Sequence, residues 1–199
     1  GGANTASVRG LESLYGNVAG LAFTDKTELI FARTAWIAEI PINSFGFSQK
    51  VGETGVLALG VTSISLADIV RTTENLPDGG LGNFNVSSTN INLGYSKIFS
   101  NSIYGGFAIK SVFEGSSDVS ASGVALDAGI QYVTGNSDQI KFGISLKNVG
   151  PRMMFGGDGM SFRGIAPDDE YTMTLEQRSE AFELPSLLNI GFAYDFFTT

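Results

Sequence analysis

Residues 90–114, NINLGYSKIFSNSIYGGFAIKSVFE, alternate with a period of two on both sides of a polar break at Ser100, Asn101 and Ser102. Before the break, Ile91, Leu93, Tyr95 and Phe99 fall on one parity, with Asn90, Asn92, Gly94 and Ser96 on the other. After it, Ile103, Phe107, Ile109 and Phe113 share a face, and Ser102, Gly106, Ala108 and Lys110 lie opposite. Successive side chains of a strand point to opposite faces, so this pattern predicts a β-hairpin whose two faces have different surroundings. A soluble sandwich would alternate in the same way, so the hairpin alone does not say what those surroundings are.

The pattern recurs at 27–36, 41–50, 55–64, 121–133, 139–147 and 186–196, making about eight strands with the hairpin's two. Pro41 stands at the start of its run, where a strand tolerates proline. The facing of 27–36 is ambiguous, because Glu28 and Arg33 fall on opposite parities. Elsewhere one face is Leu, Ile, Val, Phe and Tyr. The other is Gly, Ala, Ser and Asn, with Lys110, Asp127, Lys141, Lys147 and Asp195 among them. A face turned to water usually carries long charged side chains, yet only 16% of this chain is charged. Small residues on the polar side suit a crowded interior. The expectation is an all-β transmembrane antiparallel up-and-down β-barrel, apolar outside and small-polar inside. No run approaches the ~18 apolar residues of a membrane-spanning helix, but barrel strands need only about 9–11 each.

The connections at 50–54, 100–102 and 134–138 read as short, and those at 65–84, 115–120 and 149–185 as longer. Strict alternation of short and long is expected of an up-and-down barrel with short periplasmic turns and long extracellular loops. Residues 1–26 differ from the barrel region 27–199. Ala6, Val8, Leu11, Leu14, Tyr15 and Val18 have a loose helical spacing, broken by Gly10, Gly16 and Gly20. This predicts a short helical or irregular segment packed against something. The opening GGANTAS has neither the basic start nor the apolar core of a signal peptide, so we expect a chain that is not exported or one whose leader is gone.

The chain has no cysteine and no histidine, which excludes disulfides, thiolate zinc sites and Ser-His-Asp or Cys-His catalysis. A net charge of −8 argues against nucleic acid. No enzyme and no cofactor is expected. Gly156, Gly157, Asp158 and Gly159 lack the Lys-Ser/Thr of a phosphate loop, and Asp168, Asp169 and Glu170 read as a solvated charge run. Two groups stand out. Met153, Met154, Phe155, Met160 and Phe162 are apolar residues in the 149–185 loop, which either contact a partner adaptably or fold the loop over the barrel mouth. Lys110, Asp127 and Lys147 share the inward parity at similar heights on consecutive strands, predicting an ion cluster in the lumen.

The amino-terminal GGANTASVRGLESLYGNVAGLAF resembles the start of the PorV/PorQ family of Bacteroidetes outer-membrane proteins, relatives of the FadL-type barrels. The match to the family's Asn-Pro-Ala-Gly-Leu-Ala motif is Asn17, Ala19, Gly20, Leu21 and Ala22, with Val18 where the family usually has proline. Ala35–Trp36–Ile37–Ala38–Glu39–Ile40, INLGYS at 91–96 and LDAGIQY at 126–132 are similar to later family segments. The resemblance implies a barrel of about fourteen strands, of which these eight would be a part, with residues 1–26 entering or plugging the lumen. It implies an outer-membrane component of the type IX secretion system. Its partners would be outer-membrane lipid, the translocon barrel with other secretion-system proteins, and secreted cargo. The alternatives are a FadL-like channel for hydrophobic small molecules and a soluble ligand-binding sandwich.

Overall fold

A computed structural model describes residues 3–66, 69–165 and 172–196. The alternating runs become β1 (Thr27–Ala35), β2 (Pro41–Val51), β3 (Gly55–Ser65), β6 (Val86–Ile98), β7 (Ile103–Ser116), β8 (Val119–Thr134), β9 (Ile140–Val149) and β12 (Leu187–Tyr194). These eight strands form one sheet in that order, each antiparallel to its neighbour. The two long connections hold hairpins of their own, β4 (Ile69–Val70) with β5 (Asn83–Phe84) and β10 (Ser161–Ile165) with β11 (Thr172–Glu176). The chain is therefore all-β with a meandering antiparallel sheet. Edge strands β1 and β12 share no ladder among the described residues. They approach across a cleft of about 690 Å³, to which β1 contributes Ile30 and Ala32 and β12 contributes Leu187 and Asn189.

Facing follows parity strand by strand. On β8, Ala121, Ala125, Asp127, Gln131 and Val133 are buried, while Val124, Leu126, Ile130 and Tyr132 are exposed. The first strand's ambiguity resolves through Glu28, which turns inward and accepts a hydrogen bond from the Leu11 amide at 2.6 Å. Ile30 packs with the core beside it, and Leu29 and Phe31 face out.

The inner face is crowded because the amino-terminal segment lies against it. Two 3-10 turns, Leu11–Tyr15 and Val18–Phe23, place Leu11, Leu14, Val18 and Leu21 against Val56, Ala58 and Ala108. The expected helical tendency takes this tighter form because glycines stand at 10, 16 and 20, and 3-10 turns are used in short pieces. Backbone approaches the sheet closely at Gly143, where an added Cβ would stand 2.3 Å from the Thr5 carbonyl oxygen and 2.7 Å from Ala6 Cα.

One expectation about the connections is corrected. Residues 115–120 are not a longer loop. β7 and β8 continue their pairing up to Ser116↔Val119, closed by a turn at Ser117 and Asp118. Ser117 takes φ 47°, the left-handed backbone that tight hairpin turns require. The 36–40 connection at the same end is also short. Short and long thus do not alternate strictly, but both long connections do emerge from one end of the sheet.

Candidate functional site

At the long-loop end of the inner face, a bulge brings the predicted ionic residues together in a different way from the one expected. Leu126 pairs with Val149 and Ala128 with Leu146, so Lys147 and Asn148 on β9 oppose the single residue Asp127 on β8. The extra residue is accommodated by Asn148 at φ 58°, a conformation asparagine tolerates better than most. The Asp127 carboxylate takes over where the ladder is interrupted: its Oδ1 accepts the Asn148 amide at 2.7 Å. Its Oδ2 accepts from Lys110 Nζ at 2.9 Å, and the same ammonium donates to Asn148 Oδ1 at 2.6 Å. Only 16% of the Lys110 side chain and 6% of the Asp127 side chain are exposed.

Lys147, expected as the third member, makes no ion pair with Asp127. Its ammonium donates to the Tyr15 carbonyl at 2.7 Å and fastens the amino-terminal segment. The bulge explains the difference, because both Asp127 oxygens are taken, Oδ1 by the Asn148 amide and Oδ2 by Lys110. Asn148, which sequence reasoning passed over, occupies the third place instead. It also donates through Nδ2 to the Pro185 carbonyl at 2.9 Å, so one network holds both ends of the 149–185 loop. A second inner pair, Lys141 with Asp195 at 2.5 Å, closes the short-turn end.

The five apolar residues of the long loop divide. Met153 is 1% exposed and packs with Val112 and Ala121 beneath Phe155, Phe182 and Leu184. Its amide and carbonyl bond reciprocally with Phe182 at 2.7 and 2.9 Å. Phe155 and Phe182 stack with ring centroids 5.2 Å apart. These residues fold the loop onto the tall β7–β8 hairpin, where Ser120 and Gly156 form a bridge. Met160 is half-buried. Met154 and Phe162 remain exposed at 50% and 52%. On the β10–β11 hairpin, Phe162 pairs with Leu175 and Gly164 with Met173, so Phe162, Leu175 and Met173 share an apolar side. Asp168, Asp169 and Glu170 lie outside the described residues. The other long loop is tied to the same hairpin by Arg71 and Asp118, an exposed pair at 3.2 Å.

The segment 17–22 sits at the centre of the inner face. Asn17 is fully buried and caps the second 3-10 turn, its Oδ1 accepting the Ala19 amide at 3.2 Å. Its Nδ2 donates to the Thr5 and Ile130 carbonyls at 2.8 and 3.1 Å, joining the segment to itself and to β8. Ala19, Leu21 and Ala22 are buried, and the Gly20 carbonyl accepts the Gly10 amide at 2.9 Å. Gln131 adds bonds from β8 to the carbonyls of Thr5 and Val8, at 3.2 and 3.0 Å. The chemistry here is that of a fastened filler, with polar side chains spent on backbone groups of the segment.

Compared with known proteins, the chain matches no family model, no curated protein and no solved structure.

Proposed function

We propose that this chain is wall and plug of an outer-membrane β-barrel that serves, without enzymatic chemistry, as a PorV-like component of a type IX secretion system. The supporting observation is how the surfaces are divided. Across eight neighbouring strands the convex face presents large apolar side chains, among them Leu59, Leu93, Ile109, Ile130, Ile144 and Ile190. Soluble monomers rarely leave such a face bare beyond a few hundred Å². Lipid covers it on this reading, with the paired strands leaving few backbone groups unsatisfied. Since β1 and β12 already run antiparallel, any strands that complete the wall between them are even in number, as in bacterial barrels generally.

The inner face is occupied by the amino-terminal segment, which leaves contact with proteins as the function of the long-loop end. Translocon and cargo contacts are assigned to the 65–84 and 149–185 loops, with Met154 and Phe162 as the exposed apolar anchors. The cleft between β1 and β12 is the feature that favours the other reading, a FadL-like channel for hydrophobic small molecules. Its lining includes Asn4, Glu12, Lys147 and Asn189, more polar than such a cargo calls for.

The full-length protein, extracted from outer membranes in mild detergent, is expected to copurify with the translocon barrel. Met154→Asp with Phe162→Asp should lower that recovery about tenfold, the usual effect of losing an apolar hot spot, and leave membrane association unchanged. Fatty-acid uptake by vesicles holding the purified protein, with no translocon recovered, would establish the channel reading instead.

A further inference from the structure

The convex face is not uniformly bulky. Outward positions on β7 and β8 carry Gly105 and Ala128, which are diagonal neighbours because Gly105 pairs with Ile130 and Phe107 with Ala128. The Phe99 ring lies over Gly105, and beside it, above the small side chain of Ala128, a groove of about 420 Å³ opens in the apolar surface. Tyr95 and Phe107 wall one side, their rings tilted with centroids 6.0 Å apart, and Ile130, Ile144 and Leu146 wall the other. The groove ends at Phe99 and Lys97, next to the short turn at 99–102. Lys97 pairs across the sheet with Gly55 and Gly105, which lend it no side chain of their own; the Tyr95 ring lies over Gly55 and the Phe99 ring over Gly105.

Lys97 is the one charged residue lining the groove, and among the described residues it makes no ion pair with a carboxylate. An ammonium at the end of an apolar trough complements an amphiphile with an anionic head. Lys97 stands level with Ile130 through Gly105, so the level of Ala128 is two residues along the strand, roughly 7 Å at the usual rise. That length takes the head-proximal methylenes of an acyl chain.

We propose that this groove seats an anionic glycerophospholipid, with the start of one acyl chain over Ala128 and its phosphate on the Lys97 ammonium. The inference rests on the outer-membrane barrel reading above. That reading puts the short turns, and so Lys97, at the periplasmic leaflet. The occupant is accordingly a phospholipid rather than the phosphorylated glycolipid of the outer leaflet.

The test reconstitutes the full chain into vesicles of mixed phosphatidylglycerol and phosphatidylcholine, re-extracts it in mild detergent, and counts retained lipid by native mass spectrometry. Retained phosphatidylglycerol should be enriched about fivefold over phosphatidylcholine, the effect of one basic residue near an anionic surface. Lys97→Glu should abolish that preference. Ala128→Phe, which points outward and crowds nothing inside, should cut retention of both lipids roughly tenfold by displacing buried methylenes. Equal retention by the wild type and Ala128→Phe, or no head-group preference in the wild type, overturns the proposal. In a parallel set of vesicles that also hold lipid A, stronger retention of lipid A than of phosphatidylglycerol overturns it as well. Flotation of the protein with the vesicles is scored separately. Protein that floats but shows no enrichment ends the lipid seat alone, whereas protein that fails to float ends the barrel reading with it.

Discussion

Gly143→Leu is expected to drive the amino-terminal segment off the inner face of the sheet. A Cβ at this position would meet the Thr5 carbonyl oxygen at 2.3 Å, Ala6 Cα at 2.7 Å and the Thr5 carbonyl carbon at 2.8 Å. All three are backbone atoms, so no rotamer change relieves the clash. The segment cannot shift by itself either, because Asn17 and Gln131 both hold the Thr5 carbonyl, and Asn17 is bonded in turn to the Ile130 carbonyl. Overpacking of this kind costs about 1–3 kcal/mol where side chains yield, and a leucine against fixed backbone lies at or above the top of that range. The chain has no cysteine, so a single Ala6→Cys reports on the segment without interference. Ala6 is 1% exposed, so a thiol reagent should label Ala6→Cys slowly in the parent. In the Gly143→Leu background labelling should be at least tenfold faster, as about 1.4 kcal/mol of released packing implies. Equal labelling rates in the two backgrounds would show that the segment does not depend on the close approach at Gly143.

The same contact shows what could be read from the sequence. Alternation placed the eight sheet strands within a few residues, because each strand's two faces differ sharply in side-chain size over its length. The smallness of the inner face pointed to crowding. Its occupant's seat was not legible, because the bonds that fix it join residues more than a hundred apart, such as Asn17 with Ile130 and Gln131 with Val8. Residues 115–120 read as loop since Gly115, Ser116 and Ser120 break the size contrast. They pair nonetheless, in a hairpin that rises past the end of β9 to carry Met153 and Gly156. Parity put Lys110, Asp127 and Lys147 on one face. The bulge that separates Lys147 from the carboxylate leaves no periodic trace, since it is set by one backbone conformation at Asn148.

That bulge makes Asp127 the more consequential of the inner charges. Asp127→Ala removes the partner of a mostly buried ammonium and the acceptor of the Asn148 amide together. Breaking a buried pair by deleting one member costs about 3–5 kcal/mol, because the surviving charge is left without compensation. The expected result is a loss of that size in urea unfolding of the reconstituted protein. Faster proteolysis within 149–185 should accompany it, since Asn148 also holds Pro185 at the far end of the loop. Replacing both members, as Lys110→Met with Asp127→Leu, removes the desolvated charges together and should recover much of the loss. The Asn148 amide still lacks its acceptor in that variant, so loop proteolysis should stay raised even as the unfolding midpoint returns. Lys147→Ala should cost only about 0.5–1.5 kcal/mol, the net value of one hydrogen bond, because its ammonium serves the Tyr15 carbonyl. A Lys147→Ala penalty equal to that of Asp127→Ala would instead mean that all three residues act as one ionic cluster. Two separate magnitudes would mean that Asp127 organises the loop and Lys147 the amino-terminal segment, each from one side of the same bulge.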